Sequence, residues 1–333
     1  MSNQLRVAVV GAGQMGRLHA RVAAESDLTQ LSAVVDPDED RTAVPWLAPE
    51  LRVDSLDKLL DGEPPDVAIV AVPTHLHADV AVRLLESGIP VLIEKPIAAA
   101  VADGKRILTA AEQTGVPVTI GHVERFNPAV RALRKRLDDE QLGRVYQIRT
   151  QRLSPFPTRI GDSGVALDMA THDLDVMCML AGRPIRVSAE TDHKSNRAHE
   201  DLIAATLRFD SGIIGLLDVN WLTPTKVRHL SVTGERGMFV VDYLNQHLTF
   251  YENAQETLAW FTLDVFSGVT EGDVVRYAIQ RVEPLRAQLD SFVNALREGR
   301  EPEVTVEDGL RALSLALAVV ESGRSGSSVE LQL

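Results

Sequence analysis

The stretch from Arg6 to Gly16, which reads RVAVVGAGQMG, is the feature that most restricts the fold. An apolar run gives way to glycine at Gly11, Gly13 and Gly16, and the residues that follow suit a helix. This spacing is typical of the strand, tight turn and helix that bind a dinucleotide. The first glycine allows the turn, the second lets backbone approach a pyrophosphate, and the third lets the helix pack closely on the strand. The helix N-terminus offers N–H groups and a partial positive charge to the phosphates, so the loop predicts a bound dinucleotide.

A carboxylate at Asp36 narrows the choice of dinucleotide. Asp36 ends the apolar run LSAVV, at the distance beyond Gly16 where a dinucleotide fold places its ribose ligand. It would accept hydrogen bonds from a free ribose diol and repel a 2′-phosphate, and no basic residue follows before Arg41. The sequence therefore predicts NAD rather than NADP.

The pattern of predicted elements changes along the chain. Apolar runs at Val67 to Val72, Val91 to Ile93 and Val116 to Ile120 alternate with helical segments, which predicts a parallel sheet. From Arg144 onward, β-rich segments separated by short turns predict a largely antiparallel sheet, interrupted by one helix from about Val165 to Leu180. We therefore predict an α/β domain over residues 1–123 and an α+β domain over residues 124–333.

Composition limits the setting and the partners. The chain has 333 residues, of which 45% are apolar, enough for two buried cores. Cys178 is the only cysteine, so an intramolecular disulfide is excluded. The start of the chain is too short and polar for a secretion signal, and no apolar run approaches the roughly 18–20 residues of a membrane span. We expect a cytoplasmic protein, and the net charge of −13 argues against nucleic acid or an anionic membrane as its main partner.

Polar residues follow two of the predicted parallel strands, at the edge where open α/β sheets bind ligands. One group begins with Pro73 and Thr74, and the other is Glu94-Lys95-Pro96. A lysine is often only a solvated surface charge, but a cation at Lys95 can hold a substrate hydroxyl or a developing carbonyl oxygen near a nicotinamide. The residues predicted to hold the cofactor are Gly11, Gly13, Gln14, Met15, Gly16, Asp36, Pro73, Thr74, His77, Glu94, Lys95 and His122.

The interrupting helix carries a candidate acid–base pair. Asp168 and His172 are four residues apart, which puts both side chains on one helix face. An unperturbed histidine pKa near ~6.5 suits proton exchange at neutral pH, and a nearby carboxylate can orient the ring. We predict that His172 is a general base and that Asp168 orients His172 or Lys95. A metal site that also uses Asp173 is the weaker interpretation, because no other histidine or cysteine cluster completes a ligand set.

A local excess of positive charge points to the substrate. From Arg125 to Arg159, nine arginine or lysine residues stand against three acids. Guanidinium groups suit phosphate and carboxylate, which favours an anionic substrate such as a nucleotide-linked sugar, although the residues around Arg134 also suit a solvated helix. The residues predicted to meet the substrate are Lys95, Arg125, Asn127, Arg152, Arg159, Asp168 and His172.

Taken together, the GAGQMG loop, Asp36, the EKP tripeptide at Lys95 and the DMATH segment ending at His172 resemble the glucose–fructose oxidoreductase, inositol dehydrogenase and rhizopine-catabolism (Gfo/Idh/MocA) family. The resemblance implies an N-terminal Rossmann domain and a C-terminal domain whose open sheet forms a homodimer or homotetramer. It also implies a cis peptide before Pro96 and a tightly held NAD. On this likeness Lys95, Asp168 and His172 take the family's catalytic positions.

Two further segments, Gly121 to Val130 and Asn220 to Gln246, resemble the UDP-N-acetylglucosamine 3-dehydrogenase branch of that family. The branch implies NAD-dependent oxidation of the 3-hydroxyl of a UDP-sugar to a 3-keto sugar. Two alternatives remain open: a dehydrogenase of a free polyol or sugar of the inositol type, and a non-catalytic regulator that binds NAD.

Overall fold

The computed structural model describes residues 4–156, 163–194, 199–254 and 271–331. The α-helices are α1 Gln14–Glu25, α2 Glu39–Thr42, α3 Leu56–Asp61, α4 His77–Glu86, α5 Val101–Thr114, α6 Pro128–Asp138, α7 Thr171–Ala181, α8 Pro284–Glu298 and α9 Val306–Ser325. The strands are β1 Leu5–Val10, β2 Thr29–Val35, β3 Arg52–Val53, β4 Val67–Val70, β5 Val91–Ile93, β6 Val118–Ile120, β7 Val145–Pro155, β8 Pro184–Asp192, β9 Leu202–Phe209, β10 Ile214–Asn220, β11 Leu222–Gly234, β12 Gly237–Asp242, β13 His247–Asn253, β14 Glu271–Arg276 and β15 Val329–Glu330. None of the helices in these ranges is both long and apolar enough to cross a membrane.

The first of two compact units comprises Met1–Phe126 and Glu283–Ser314. Its six strands run in the order β3-β2-β1-β4-β5-β6, and every pair is parallel. The strand order reverses between β1 and β4, and open α/β sheets bind ligands at the carboxyl edge of such a switch point. The predicted parallel Rossmann sheet is therefore confirmed.

The first unit also contains a segment that the sequence-based boundary assigns to the second domain. Helix α8 buries Leu285, Leu289 and Phe292 in the same apolar core as Val7 and Val9 of β1. Removing these side chains from water favours folding by roughly 1.5–3 kcal/mol each. The domain boundary at residue 123 stays a prediction, and the contact that brings residues 283–314 into the first unit joins residues far apart in the chain, which no local pattern reports.

The second unit comprises Asn127–Val282 and Leu315–Leu333. Its nine described strands form one sheet in the order β14-β13-β12-β11-β7-β10-β9-β8-β15, in which β7 and β10 are parallel and the other pairs are antiparallel. Alternate residues of the central strand β7 are buried, and α6, α7 and the C-terminal part of α9 contribute to the same core. The predicted α+β architecture with a largely antiparallel sheet is confirmed.

Candidate functional site

The three glycines of the loop after β1 have the geometry that a pyrophosphate needs. Gly11 has a φ of +101°, and a Cβ built there would lie 2.5 Å from the carbonyl oxygen of Ala71. A Cβ on Gly16 would lie 1.7 Å from the carbonyl oxygen of Gly11, whereas nothing lies within 4 Å of that position on Gly13. Helix α1 begins at Gln14 with no side chain capping its N-terminus. The loop therefore fits a dinucleotide, with open backbone at Gly13 and uncapped helix N–H groups beyond it.

The carboxylate of Asp36 is fixed beside the glycine loop. Its Oδ2 accepts a hydrogen bond from the N–H of Ala12 at 2.7 Å, and its Oδ1 accepts one from the N–H of Asp38 at 3.0 Å. The guanidinium of Arg41 lies 3.8 Å from Oδ2. Asp36 thus lies at the carboxyl end of β2, at the predicted ribose position.

A groove of about 1020 Å³ continues from this loop along the outer side of α1. It is lined by Ala12, Gly13, Gln14, Arg17, Leu18, Arg21, Ala24, Glu25, Arg41 and Trp46. Trp46 is 49% exposed, and Arg17 donates to the carbonyl oxygens of Ala12 and Arg41. The groove is continuous with the glycine loop and includes Arg41 beside Asp36, which fits the adenosine half of a dinucleotide. The sequence analysis selects none of Arg17, Arg41 and Trp46. Only Arg41 has a signal in the sequence, which is its position shortly after Asp36.

Glu94 forms the corner between β5 and the Lys95–Pro96 peptide, which is cis. Its Oε1 accepts a hydrogen bond from Nε2 of His19 at 2.7 Å, and its Oε2 accepts the backbone N–H of Lys95 at 3.1 Å. Burial opposes ionisation of this carboxyl, but the hydrogen bond and charge of His19, together with the charge of Lys95, lower its pKa below the usual value. Glu94 is therefore a buried carboxylate that holds the backbone of Lys95.

His77 lies at the start of α4 and is buried. Its Nδ1 is 3.0 Å from the carbonyl oxygen of Pro96, and its Nε2 is 3.0 Å from the carbonyl oxygen of Val72. Burial lowers the pKa of His77, although the backbone of Val72 and the charge of Glu94 oppose that shift. Both ring nitrogens contact backbone, which favours a role in joining two strand-end segments over the direct cofactor contact that the sequence predicts.

The other predicted cofactor residues lie at the ends of strands in the first unit. Pro73 and Thr74 follow β4, and Thr74 is partly exposed. His122 follows β6, is 1% exposed, and has both ring nitrogens buried. The structure therefore puts Pro73 and Thr74 at the carboxyl edge of the parallel sheet and encloses the His122 ring in the protein.

Asp168 and His172 lie in the second unit, at the start of the helix that interrupts the sheet. The segment predicted as one α-helix begins instead with a π-helical turn, Ala166–Ala170, that contains Asp168 and runs directly into α7. Asp168 and His172 are both partly exposed, whereas Met169, Ala170 and Thr171 between them are buried. Single π-helical turns are frequent at functional sites. The predicted acid–base pair is thus presented at the surface of an otherwise buried segment.

Glu200 fixes the beginning of this segment, and the sequence analysis did not select it. Its Oε1 accepts the backbone N–H of Ala166 at 3.0 Å, and a Cβ on Gly164 would lie 1.9 Å from the same oxygen. A carboxylate at a helix N-terminus satisfies an otherwise unpaired N–H group and interacts favourably with the helix dipole. Glu200 therefore helps to position Asp168, and only the long-range contact identifies it.

Arg152, predicted to meet the substrate, makes a buried ion pair in the second unit. Its Nε lies 2.5 Å from Oδ2 of Asp173 and its Nη2 lies 3.3 Å from Oδ1. Both residues are buried, and the pair joins β7 to α7 one residue after His172. Forked contacts of this kind fix geometry strongly. The geometry favours a positioning role for Arg152 over the predicted substrate contact.

Two further predicted substrate residues are also buried in contacts within their own units. In the first unit, Nη1 of Arg125 lies 2.9 Å from Oδ2 of Asp308; burial opposes ionisation of Asp308, but the charge and hydrogen bond of Arg125 lower its pKa. In the second unit, Asn127 caps α6 through the N–H of Ala129 and donates to the carbonyl oxygen of Tyr243 at 3.1 Å. These contacts favour structural roles for both, and the remaining predicted arginine, Arg159, lies outside the described residues.

No group of three or more histidine, cysteine, aspartate or glutamate side chains that could hold a metal ion occurs within the part of the chain that the structure describes. Asp168, His172 and Asp173 do not form such a group.

Models of protein families match segments in both parts of the chain. The model of the GFO/IDH/MocA oxidoreductase family, described as an NAD-binding Rossmann fold, matches residues 5–122, and the model of the GFO/IDH/MocA C-terminal domain matches residues 130–240. These matches agree with the cofactor that the glycine loop and Asp36 predict.

Among similar proteins, UDP-N-acetylglucosamine 3-dehydrogenase from Acidithiobacillus ferrooxidans is 28% identical over 95% of this chain and 96% of that protein. A solved structure of that dehydrogenase covers 97% of this chain and 98% of its own, with a TM-score of 0.83 and 27% identity. The NAD-dependent scyllo-inositol 2-dehydrogenase of Bacillus subtilis is 25% identical over 100% of this chain and 98% of that protein. Both kinds of relative thus match nearly the whole chain.

Proposed function

Because the chain belongs to the GFO/IDH/MocA family and is an NAD-dependent oxidoreductase, we propose that it oxidises the 3-hydroxyl of a nucleotide-linked sugar to a 3-keto sugar. The proposed substrate is UDP-N-acetylglucosamine or a close relative. The observation that carries this proposal is the similarity to UDP-N-acetylglucosamine 3-dehydrogenase over 95% of the chain. The buried arginines do not support the proposal of an anionic substrate, because Arg125 forms an ion pair with Asp308 and Arg152 forms one with Asp173.

The first unit supplies the groups for the cofactor. The glycine loop and the N-terminus of α1 would hold the pyrophosphate, and Asp36 would accept hydrogen bonds from the adenosine ribose. NAD supplies the hydride acceptor. The backbone of Lys95 is held by Glu94, and its ammonium would stabilise the negative charge that develops on the oxygen of the reacting hydroxyl.

The second unit supplies the proton acceptor. We assign this role to Nε2 of His172, because Nδ1 is buried while the side chain as a whole is partly exposed. His172 removes the hydroxyl proton while the hydride departs. The carbonyl can therefore form without passing through a fully charged alkoxide. Asp168, in the adjoining π-helical turn, orients the catalytic groups, and Arg152 with Asp173 fixes α7.

A second candidate function is oxidation of a free cyclitol or sugar. It is favoured by the similarity to an NAD-dependent scyllo-inositol 2-dehydrogenase over the whole chain. A free polyol carries no phosphate, so it needs no exposed guanidinium groups. The same catalytic assignments for Lys95, Asp168 and His172 apply to this substrate.

The two candidates are separated by following NADH absorbance with NAD and a panel of UDP-sugars, UDP-uronates, myo-inositol, scyllo-inositol and glucose. We expect UDP-N-acetylglucosamine or a close relative to give the highest kcat/KM. Each reaction is repeated with a 2-oxo acid acceptor, because a 3-keto product can lie uphill and a retained cofactor can be recycled without release. Turnover of the inositols alone would contradict the nucleotide-sugar proposal and support the second candidate.

We further infer self-association through the open face of the sheet in the second unit. Met238, Tyr251 and Val274 are directly paired across β12, β13 and β14, and Tyr251 and Val274 are exposed. Residues paired in this way share a face of the sheet. A homodimer or homotetramer and a cytoplasmic location stay predictions.

A further inference from the structure

The pair formed by His19 and Glu94 links the cofactor-binding helix to the strand end that carries Lys95. His19 lies in α1, three residues after Gly16, and is 0% exposed. Its Nε2 is 2.7 Å from Oε1 of Glu94, whose other oxygen accepts the N–H of Lys95. The sequence analysis assigned no role to His19.

We propose that His19 is a positioning residue: its N–H holds the Glu94 carboxylate, which in turn holds the backbone of Lys95. This inference rests on the proposed function only through the role of Lys95. The Glu94 side chain has little room to move, because Gly121 lies close to it: a Cβ built on Gly121 would lie 3.2 Å from Oε2 of Glu94. Loss of the His19 donor would leave one carboxylate oxygen buried without this hydrogen bond.

The expected consequence follows from the cost of burying a carboxylate. A buried glutamate without a partner becomes neutral, and its pKa can reach about 8–9. In the native protein, burial opposes ionisation of Glu94, but the hydrogen bond and charge of His19 and the charge of Lys95 keep its pKa low. Without His19, only the charge and backbone N–H of Lys95 remain among these favourable contributions.

Other groups near this corner do not replace His19. His77 of α4 contacts the carbonyl oxygens of Pro96 and Val72 through its two ring nitrogens. It interacts with Glu94 only through the charge of that carboxylate. After β6, Gly121 presents only backbone to the Glu94 side chain, and the ring of the next residue, His122, is buried. Substitution of His19 by a residue without a hydrogen-bond donor is therefore expected to raise the pKa of Glu94.

Two variants separate hydrogen bonding from packing. His19→Leu keeps a buried side chain of similar size and removes the donor, whereas His19→Gln retains an N–H donor. The ionisation of Glu94 is followed in the free protein by 13C NMR of glutamate side-chain carboxyls, with Glu94→Gln identifying its resonance. The pH dependence of kcat and the affinity for NAD are measured in parallel, and thermal unfolding verifies that each variant is folded.

We expect the Glu94 resonance to titrate at a higher pH in His19→Leu than in the native protein, and at an intermediate pH in His19→Gln, which retains the donor without the charge. At neutral pH, kcat falls about tenfold for each unit by which the raised pKa of Glu94 exceeds the assay pH, and it recovers as the pH is increased. His19→Gln, which keeps the donor but not the charge of His19, is expected to give a pH profile between those of the native protein and His19→Leu.

An unchanged Glu94 titration in folded His19→Leu, or a uniform loss of kcat with the native pH profile, would overturn the inference. If the native protein oxidises no compound of the panel, the proposed function fails, and the carboxyl titration of the free protein still decides the role of His19. If His19→Leu does not fold, His19→Met, which also lacks a donor, replaces it in the test, and an unchanged Glu94 titration in that variant would overturn the inference.

Discussion

Replacing His172 with asparagine is expected to lower kcat by about 10²–10⁴-fold, the usual contribution of a general base. Asparagine keeps a side chain of similar reach but cannot take up a proton at neutral pH. The affinity for NAD should stay unchanged, because the glycine loop and Asp36, to which we assign cofactor binding, belong to the first unit. Steady-state kinetics and NAD titration measure the two effects separately.

The pH profile distinguishes chemistry from structure in this variant. The native enzyme should lose kcat/KM on the acid side as His172 becomes protonated, and His172→Asn should lack that limb. His193→Asn is the matched control, since His193 is an exposed residue that follows β8 and its substitution should leave kcat unchanged. A His172→Asn variant with kcat within about threefold of the native value would remove the general-base assignment.

The second large effect is expected at Lys95. Lys95→Met keeps most of the aliphatic stem and removes the ammonium, so kcat should fall by about 10²–10³-fold, as it does when one donor to a developing oxyanion is lost. The hydrogen bond from the backbone N–H of Lys95 to Glu94 does not depend on the Lys95 side chain. The backbone conformation at Glu94 and Lys95 and the melting temperature of the protein should therefore be preserved. The remaining activity should keep the acid limb that His172 produces.

Lys105→Met provides the control for Lys95→Met. Lys105 is an exposed lysine of α5, and its loss should change neither kcat nor the affinity for NAD. If Lys95→Met instead weakened NAD binding while kcat was retained, Lys95 would be a cofactor ligand and not a group that acts on the substrate oxygen.

The sequence predicts the first unit well because its determinants are local. Turn geometry at Gly11, close packing at Gly16 and a carboxylate at the end of β2 are encoded within a few residues of where they act. The alternation of apolar strands and helices likewise predicts the parallel sheet, since each strand and helix is identified by its own short pattern.

Long-range contacts explain what the sequence analysis missed. Helix α8 returns to the first unit, and His19 reaches Glu94, through contacts that no local pattern reports. The sequence analysis assigns arginines to the substrate because of their charge. Charge alone does not distinguish an exposed guanidinium from that of Arg152, which is buried in an ion pair with Asp173. The π-helical turn at Asp168 has no sequence signature comparable to a glycine or proline signal.

The most direct test of the proposed reaction is transfer of deuterium from carbon 3 of UDP-N-acetylglucosamine. The enzyme is incubated with NAD and the 3-deuterated sugar nucleotide, and the reduced cofactor and the sugar product are analysed by mass spectrometry and NMR. We predict deuterated NADH together with a 3-keto sugar nucleotide. Unlabelled NADH, or a product oxidised at another carbon, would contradict oxidation at the 3-hydroxyl.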